Sequence, residues 1–303
     1  MIEILCATYN GMRHLREQIA SIEAQTLTDW HVTFFDDGST DGTVEMLEAL
    51  VVKDARFSLI RNPVNLGFCG NFLNNLSKLK NADAYAFSDQ DDIWYQDKLE
   101  RAFDWLSRID PGTPAVYFAR TEIVDEQLNH AGMSPDFKLE PSFRNALVQS
   151  IGGGNTMMFN QAAKDLVVNT LPKTRLISHD WWFYIVVAGC GGVVQYDLEP
   201  VLKYRQHEAN LSGTNNSISG QILRLWMALR GEWRAWNTVH ELAIATFEDR
   251  LTPENRAAFH AFQQARHGGW PFERLSLFKR AGVRRQSALQ TKLLPFLVLL
   301  NRL

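Results

Sequence analysis

Cysteine is scarce: Cys6, Cys69 and Cys190 lie far apart and form no Cys-x-x-Cys pair. Neither a disulfide framework nor a zinc site of familiar spacing is available. Surplus positive charge is also missing, with 31 Lys+Arg against 34 Asp+Glu and a net charge of -3. That excludes a nucleic-acid binder working through bulk charge. Long hydrophobic runs are absent: the longest, near Leu293 to Leu300, is about half of what a membrane span needs. The opening residues MIEILCATYNG carry neither a basic flank nor a long apolar stretch, so no signal peptide is read there. A cytoplasmic, reducing location is the expectation. No internal repeat or low-complexity segment interrupts the chain.

What is present is the balance of a globular protein, 303 residues with 46% apolar and 21% charged. Length suggests one large domain, or about 200 residues plus an appendage. Charge is unevenly spread. From Arg224 to Leu303 there are 13 Lys+Arg and 6 Asp+Glu, together with Trp226, Trp233, Trp236 and Trp270. Two parts with different surroundings are expected: residues 1–216, and a basic, Trp-rich helical extension over 217–303. The extension either caps the main domain or meets an anionic membrane surface.

Short apolar runs alternate with helical periodicity in the first half. Ile2–Ala7, Trp30–Phe35, Phe57–Ile60, Tyr85–Phe87 and Ala115–Phe118 have strand character. Between them, Leu15, Ile19 and Ile22, then Val44 and Leu47, then Phe72–Leu79, then Leu99, Phe103 and Leu106, fit helices. This alternation predicts an α/β fold with a mostly parallel sheet flanked by helices. Further on, a helix is expected over Phe143–Ser150, strands over Val193–Tyr196 and Val201–Tyr204, and helix throughout after Ser217. A seam of Ile222, Trp226, Leu229, Trp233, Trp236, Val239, Ala243 and Phe247 runs through the last part.

The polar clusters fall at strand ends, where ligands gather in such sheets. Thr8-Tyr9-Asn10 follows the first strand, Asp36-Asp37-Gly38-Ser39 the second, and Ser88-Asp89-Gln90-Asp91-Asp92 the fourth. His179-Asp180-Trp181-Trp182 and Tyr204-Arg205-Gln206-His207 come later. Residues 37–48 match an EF-hand calcium loop, but the preceding WHVTFF has strand rather than helix character, which argues against calcium. Three carboxylates within four residues at Asp89, Asp91 and Asp92 repel one another unless water dilutes the charge or a hard divalent cation uses it. Gly152-Gly153-Gly154-Asn155 permits close backbone approach to a sugar, or is a plain loop.

Taken in order, these motifs with Asn65-Leu66-Gly67 resemble family 2 glycosyltransferases of the GT-A fold. SDQDDIWYQDKL, HDWW and YRQH are similar to the bacterial branch containing rhamnosyltransferases for surface polysaccharides, over roughly residues 1–210. The resemblance implies inverting transfer from a nucleotide-diphosphate sugar, dTDP-L-rhamnose first and a UDP-hexose as rival, with Mg²⁺ or Mn²⁺ as cofactor. It implies that Thr8, Tyr9, Asn10, Asp37, Asn65, Asp89 and Arg205 hold the nucleotide sugar, with Asn71 close by. Asp91 and His207 would ligate the metal, and Asp180 would be the general base. An N-cap role is the plainer alternative for Asp180. The Gln-x-x-Arg-Trp signature of processive members is missing, so non-processive transfer is expected. The implied acceptor is a lipid-linked glycan of O-antigen type, met at the cytoplasmic face of the inner membrane. A nucleotidyltransferase and a non-catalytic nucleotide- or sugar-binding protein are the readings from other classes.

Overall fold

A computed structural model describes residues 1–206, 226–227 and 230–303. The chain runs β1 (Ile2–Thr8), α1 (Leu15–Glu23), β2 (Trp30–Asp36), α2 (Thr43–Lys53), β3 (Phe57–Arg61), α3 (Gly67–Leu73) and β4 (Ala84–Ser88). It continues with β5 (Ile93–Trp94), α4 (Lys98–Leu106), β6 (Ala115–Val124), β7 (His130–Met133), α5 (Phe143–Ala146), β8 (Met158–Phe159) and α6 (Gln161–Val168). Then come α7 (His179–Gly189), β9 (Val193–Arg205), α8 (Glu232–Ile244), α9 (Pro253–His267), α10 (Pro271–Ala281) and α11 (Ala288–Leu299).

The described residues group into two compact units. One comprises Met1–Ser134, Gly152–Asn169 and 195–206; the other comprises Pro135–Ile151, Thr170–Val194, 226–227 and 230–303. The expected division near residue 217 lies outside the described residues. Two earlier segments, including Asp180, go with the helical unit rather than with the sheet.

In the sheet unit the strand order is β3-β2-β1-β4-β8-β6-β9-β5, with β7 on β6. β3, β2, β1 and β4 are parallel neighbours, whereas β4–β8, β6–β8, β6–β7 and β5–β9 are antiparallel. The sheet is therefore mixed. Its parallel half is the part that the alternation of strand and helix made legible. Register pairs Thr8 with Asp36 and Cys6 with Ser88, so the loops after β1, β2 and β4 leave from one edge. Phe103 of α4 is only partly buried, while Leu15, Ile19 and Ile22 of α1 and Leu99 and Leu106 of α4 are buried in the core, as their spacing predicts. Each such side chain contributes roughly 1.5–3 kcal/mol. Glu3, inside β1, is buried too; it accepts from Thr33 Oγ1 at 2.6 Å and faces His31 Nδ1 at 3.0 Å.

Several elements differ from expectation. The predicted helix over Phe143–Ser150 is the four-residue α5, capped by Ser142. Val193–Tyr196 and Val201–Tyr204 are one strand, β9, which passes through Pro200. In the helical unit Gly231, at φ 89°, starts α8 and breaks the continuous seam. The buried face of α8 is Asn237, His240, Glu241, Ala243 and Ile244, while Trp226 is exposed. Ile222 and Leu229 lie outside the described residues. Among the described residues no helix is long and apolar enough to cross a membrane.

Candidate active site

The loops after β1 and β2 are laced together by short polar side chains. Thr8 Oγ1 donates to Asp36 Oδ2 at 3.1 Å, and Asp36 also accepts from the Gly38 and Ser39 amides. Asn10, in the left-handed region at φ 49°, donates its backbone N–H to Ser39 Oγ and accepts from Thr40 N at 2.8 Å. Thr8 and Asn10 thus shape the loops, and Tyr9 is the half-exposed ring between them. Gln90 clamps Tyr9 on both sides of its backbone, accepting from Tyr9 N at 2.9 Å and donating to Tyr9 O at 3.0 Å. An open aromatic face with a fixed backbone is suited to stacking a flat base.

Asp37 is buried at the end of β2 and acts across the chain. Its carboxylate accepts from Asn62 Nδ2 at 3.0 Å, Leu66 N at 2.8 Å and Gly67 N at 2.8 Å, which caps α3. Asn65 donates to Asp37 O at 2.9 Å and stays exposed. Asn71 is interior, donating to Phe35 O at 2.9 Å and accepting from Asn62. The calcium-like stretch is explained by turns: strand β2 leads into it, and Asp41 accepts from Thr43 and from Met12 N.

The acidic loop separates its three carboxylates. Asp89 and Asp91 are half-buried, whereas Asp92 is fully buried and takes a hydrogen bond from Asn155 Nδ2 at 2.6 Å. Lys98 runs beneath, also buried, with Nζ 2.5 Å from Asn155 O and 3.3 Å from the Trp94 ring centroid. Burial, with the charges of Asp91 and Asp89 adding to it, raises Asp92 well above the usual carboxylate range. Burial lowers Lys98 well below the ordinary lysine value. Gln18 of α1 packs under the same loop, 2.9 Å from Ser88 Oγ, with Trp94 Nε1 and Asp92 O in reach. Arg205 is buried, donating to Asp91 O at 3.2 Å and Glu126 O at 3.0 Å and pairing with Glu17. It holds the loop by its backbone.

A Cβ at Gly152 would sit 2.6 Å from Phe118 Cδ1, so this glycine lets its loop close on β6. In the helical unit, Ser178 rather than Asp180 precedes the first turn of α7. Asp180 lies within that turn, half-buried, and accepts from Trp181 N at 2.7 Å. Trp182 is a core residue, edge-on to Phe247 at 5.5 Å. His207 lies outside the described residues.

Asp89 and Asp91 offer hard oxygen donors of the kind that Mg²⁺ or Mn²⁺ takes together with water and phosphate oxygens. The donor chemistry fits such an ion. Among the described residues, no three His, Cys, Asp or Glu side chains converge into a fuller cluster. Gln18 and Glu17 were not singled out by sequence; each reads there as an ordinary helix polar residue, and only the fold brings it to the strand ends. Gln90 and Lys98 stood only within the motif SDQDDIWYQDKL, with no role of their own.

Comparison with known proteins places these strand ends in a family. The model described as Glycosyl transferase family 2 matches residues 3–167. A dTDP-rhamnosyl transferase, RfbG of Shigella flexneri, is 30% identical over 242 residues, covering 75% of this chain and 80% of that protein. An uncharacterized glycosyltransferase of Haemophilus influenzae is 26% identical over 226 residues, 71% and 68% of the two chains. Among solved structures, S. aureus TarS 1-349 in complex with UDP-GlcNAc has a TM-score of 0.61 at 16% identity, covering 99% of this chain and 89% of that one. The mannosyltransferase PcManGT from Pyrobaculum calidifontis, in complex with GDP-Man and Mn2+, has a TM-score of 0.52 at 15% identity over 98% and 85%. At those identities the structural likeness is one of fold, the GT-A fold. With its family match running from β1 through the acidic loop to α6, this chain is a glycosyltransferase and belongs to glycosyl transferase family 2.

Proposed function

We propose that the enzyme transfers L-rhamnose from dTDP-L-rhamnose, with inversion, to a hydroxyl of a lipid-linked glycan used in cell-surface polysaccharide synthesis. The observation that carries the chemistry is the sorting of the acidic loop: Asp92 turned into the interior, Asp89 and Asp91 left near the surface at the end of β4. The donor is supported by the rhamnosyl transferase relative. Tyr9 supplies the stacking face, while Thr8, Asn10, Asp37 and Asn65 keep the flanking loops in shape for the nucleotide. Asp89 takes the ribose side. Asp91, with His207, holds a divalent cation, and Arg205 keeps the Asp91 backbone in place. When bound, the cation neutralises charge on the departing diphosphate. Asp180 takes the proton of the acceptor hydroxyl as its oxygen bonds to the anomeric carbon, and the bond to the diphosphate breaks with its electron pair. Transfer is non-processive, one sugar or a few per encounter. The basic C-terminal region meets an anionic membrane surface peripherally.

The test is calorimetric binding of dTDP, UDP and GDP, each with and without Mn²⁺, to the wild type and to Asp91→Asn. Metal-dependent binding of dTDP that is lost in the variant is the expected result. Preference for UDP would replace rhamnose by a UDP-hexose. Absence of nucleotide binding under every condition would overturn the donor site.

A further inference from the structure

The helical unit holds a partly open cavity of about 210 Å³ that the proposed chemistry leaves unused. Three indoles line it, Trp181 from α7 and Trp233 and Trp236 from α8. Trp181 is fixed by donation from Nε1 to Ala146 O at 2.7 Å, and Trp236 stands edge-on to it with centroids 6.2 Å apart. Arg285 lies 4.4 Å from the Trp233 centroid and is itself held, donating to Val148 O at 2.5 Å and to Gln290 Oε1 at 2.8 Å. The wall is therefore rigid.

Its polar groups are incompletely used. Gln149 is 7% exposed and Asn237 3% exposed, and both face the cavity. Gln149 Oε1 accepts from Gln286 N and Asn145 Nδ2, while its Nε2 has no partner among the described residues. The Asn237 amide makes no hydrogen bond there through either atom. Buried amides normally find partners. Neither amide is sealed from solvent, so beside this aromatic cavity both offer hydrogen-bonding groups to a ligand with hydroxyls at the edge of an apolar face.

From this we infer that the cavity is a carbohydrate subsite for one pyranose ring of the acceptor glycan, an assignment that rests on the transferase reading. A sugar ring lays its C–H face on an indole and turns its hydroxyls to donors and acceptors at the rim. A prenyl chain would cover the indoles and leave both amides unpaired. The volume is below the roughly 300–1,000 Å³ of pockets for drug-sized ligands, which matches a single ring within the cavity. Trp181 follows Asp180 on α7, which links the subsite to the candidate base within one helix.

Saturation-transfer NMR on the full chain tests this, with methyl α-L-rhamnopyranoside, methyl β-D-glucopyranoside, methyl N-acetyl-β-D-glucosaminide and farnesol as probes. Transfer to the ring protons of a glycoside is expected at millimolar affinity, since one small ring touches few groups. Trp236→Ala and Asn237→Leu should each weaken it at least tenfold. Asn237→Leu keeps the side-chain size, so it serves if Trp236→Ala does not fold. No transfer to any glycoside, equal binding by both variants, or transfer to farnesol alone would overturn the subsite. Nucleotide binding is measured on the same samples. Nucleotide bound without any glycoside removes the subsite and leaves the transferase. Glycoside binding that Asn237→Leu abolishes, without nucleotide binding, keeps the sugar site and removes its acceptor role.

Discussion

Asp91 and Asp92 are adjacent in the chain and have opposite surroundings. Asp92 is buried against Asn155 and Lys98, where burial favours its neutral form. Asp91 is only half-buried, and its carbonyl is held by Arg205. One residue of the acidic triplet thus anchors the loop and the other two stay partly exposed. The Asp-x-Asp spacing was legible in the sequence; the anchoring role of Asp92 was not, because it depends on Lys98 and Asn155 arriving from α4 and from the glycine loop. Asp180 is the other residue whose role stands on its own chemistry. Asp180→Asn keeps size and shape and removes basicity, so kcat should fall by about 10²–10⁴. Donor binding by calorimetry should stay within about twofold, and a parallel loss of donor affinity would instead assign Asp180 to the donor site.

At the scale of elements, Asp37 shows how a strand end builds a site wall. It follows β2 directly and accepts from Asn62 and from the Leu66 and Gly67 amides, so the end of β2, the loop after β3 and α3 share one carboxylate. Asp37→Ala would remove the acceptor of the part-buried Leu66 and Gly67 amides and leave Asn62 Nδ2 with Asn71 alone, and a lost cap or unsatisfied donor costs about 1–3 kcal/mol. A lowered urea midpoint with reduced nucleotide affinity is the expected outcome; an unchanged midpoint would show that water replaces the carboxylate. Most of the alternating elements from β1 to β4 were legible because each pairs a buried run with a helical stripe; α3 runs Gly67–Leu73 where Phe72–Leu79 was expected. β5 was not, since two residues, Ile93 and Trp94, carry no period and pair only with β9 through Lys203 and Leu202. In the antiparallel half β8 is only two residues long, and its place between β4 and β6 is set by partners distant in sequence.

For the whole molecule, the uneven charge and the buried histidines have separate consequences. Trp270 is 76% and Phe272 is 84% exposed at the start of α10, on the part of the chain where basic residues exceed acidic ones. Trp270→Ser with Phe272→Ser should reduce flotation with anionic vesicles severalfold and leave thermal stability nearly unchanged; undiminished flotation would remove the membrane contact. Acid acts on the helical unit through His179 and His240, both buried within it. Burial lowers His179 to about 4, against a partial rise from Asp180, and lowers His240 to about 3, with Arg266 adding to the fall. His240 lies edge-on to Trp181 at 4.4 Å, and neither ring nitrogen has a partner among the described residues. Above the unfolded value near 6.5 both states are neutral and pH has no effect through these groups. Below it the unfolded chain binds protons that the folded one refuses, so stability falls with pH, reaching about 1.4 kcal/mol per unit for each histidine and levelling near 4 and 3. Between pH 6.5 and 5 the two together remove roughly 3–4 kcal/mol. Urea midpoints at pH 7, 6 and 5 measure this. His240→Phe should halve the slope below pH 6 while leaving the midpoint at pH 7 within the range of a conservative core change. A wild-type profile flat from pH 7 to 5 would mean that both imidazoles reach solvent or a proton acceptor in the folded state.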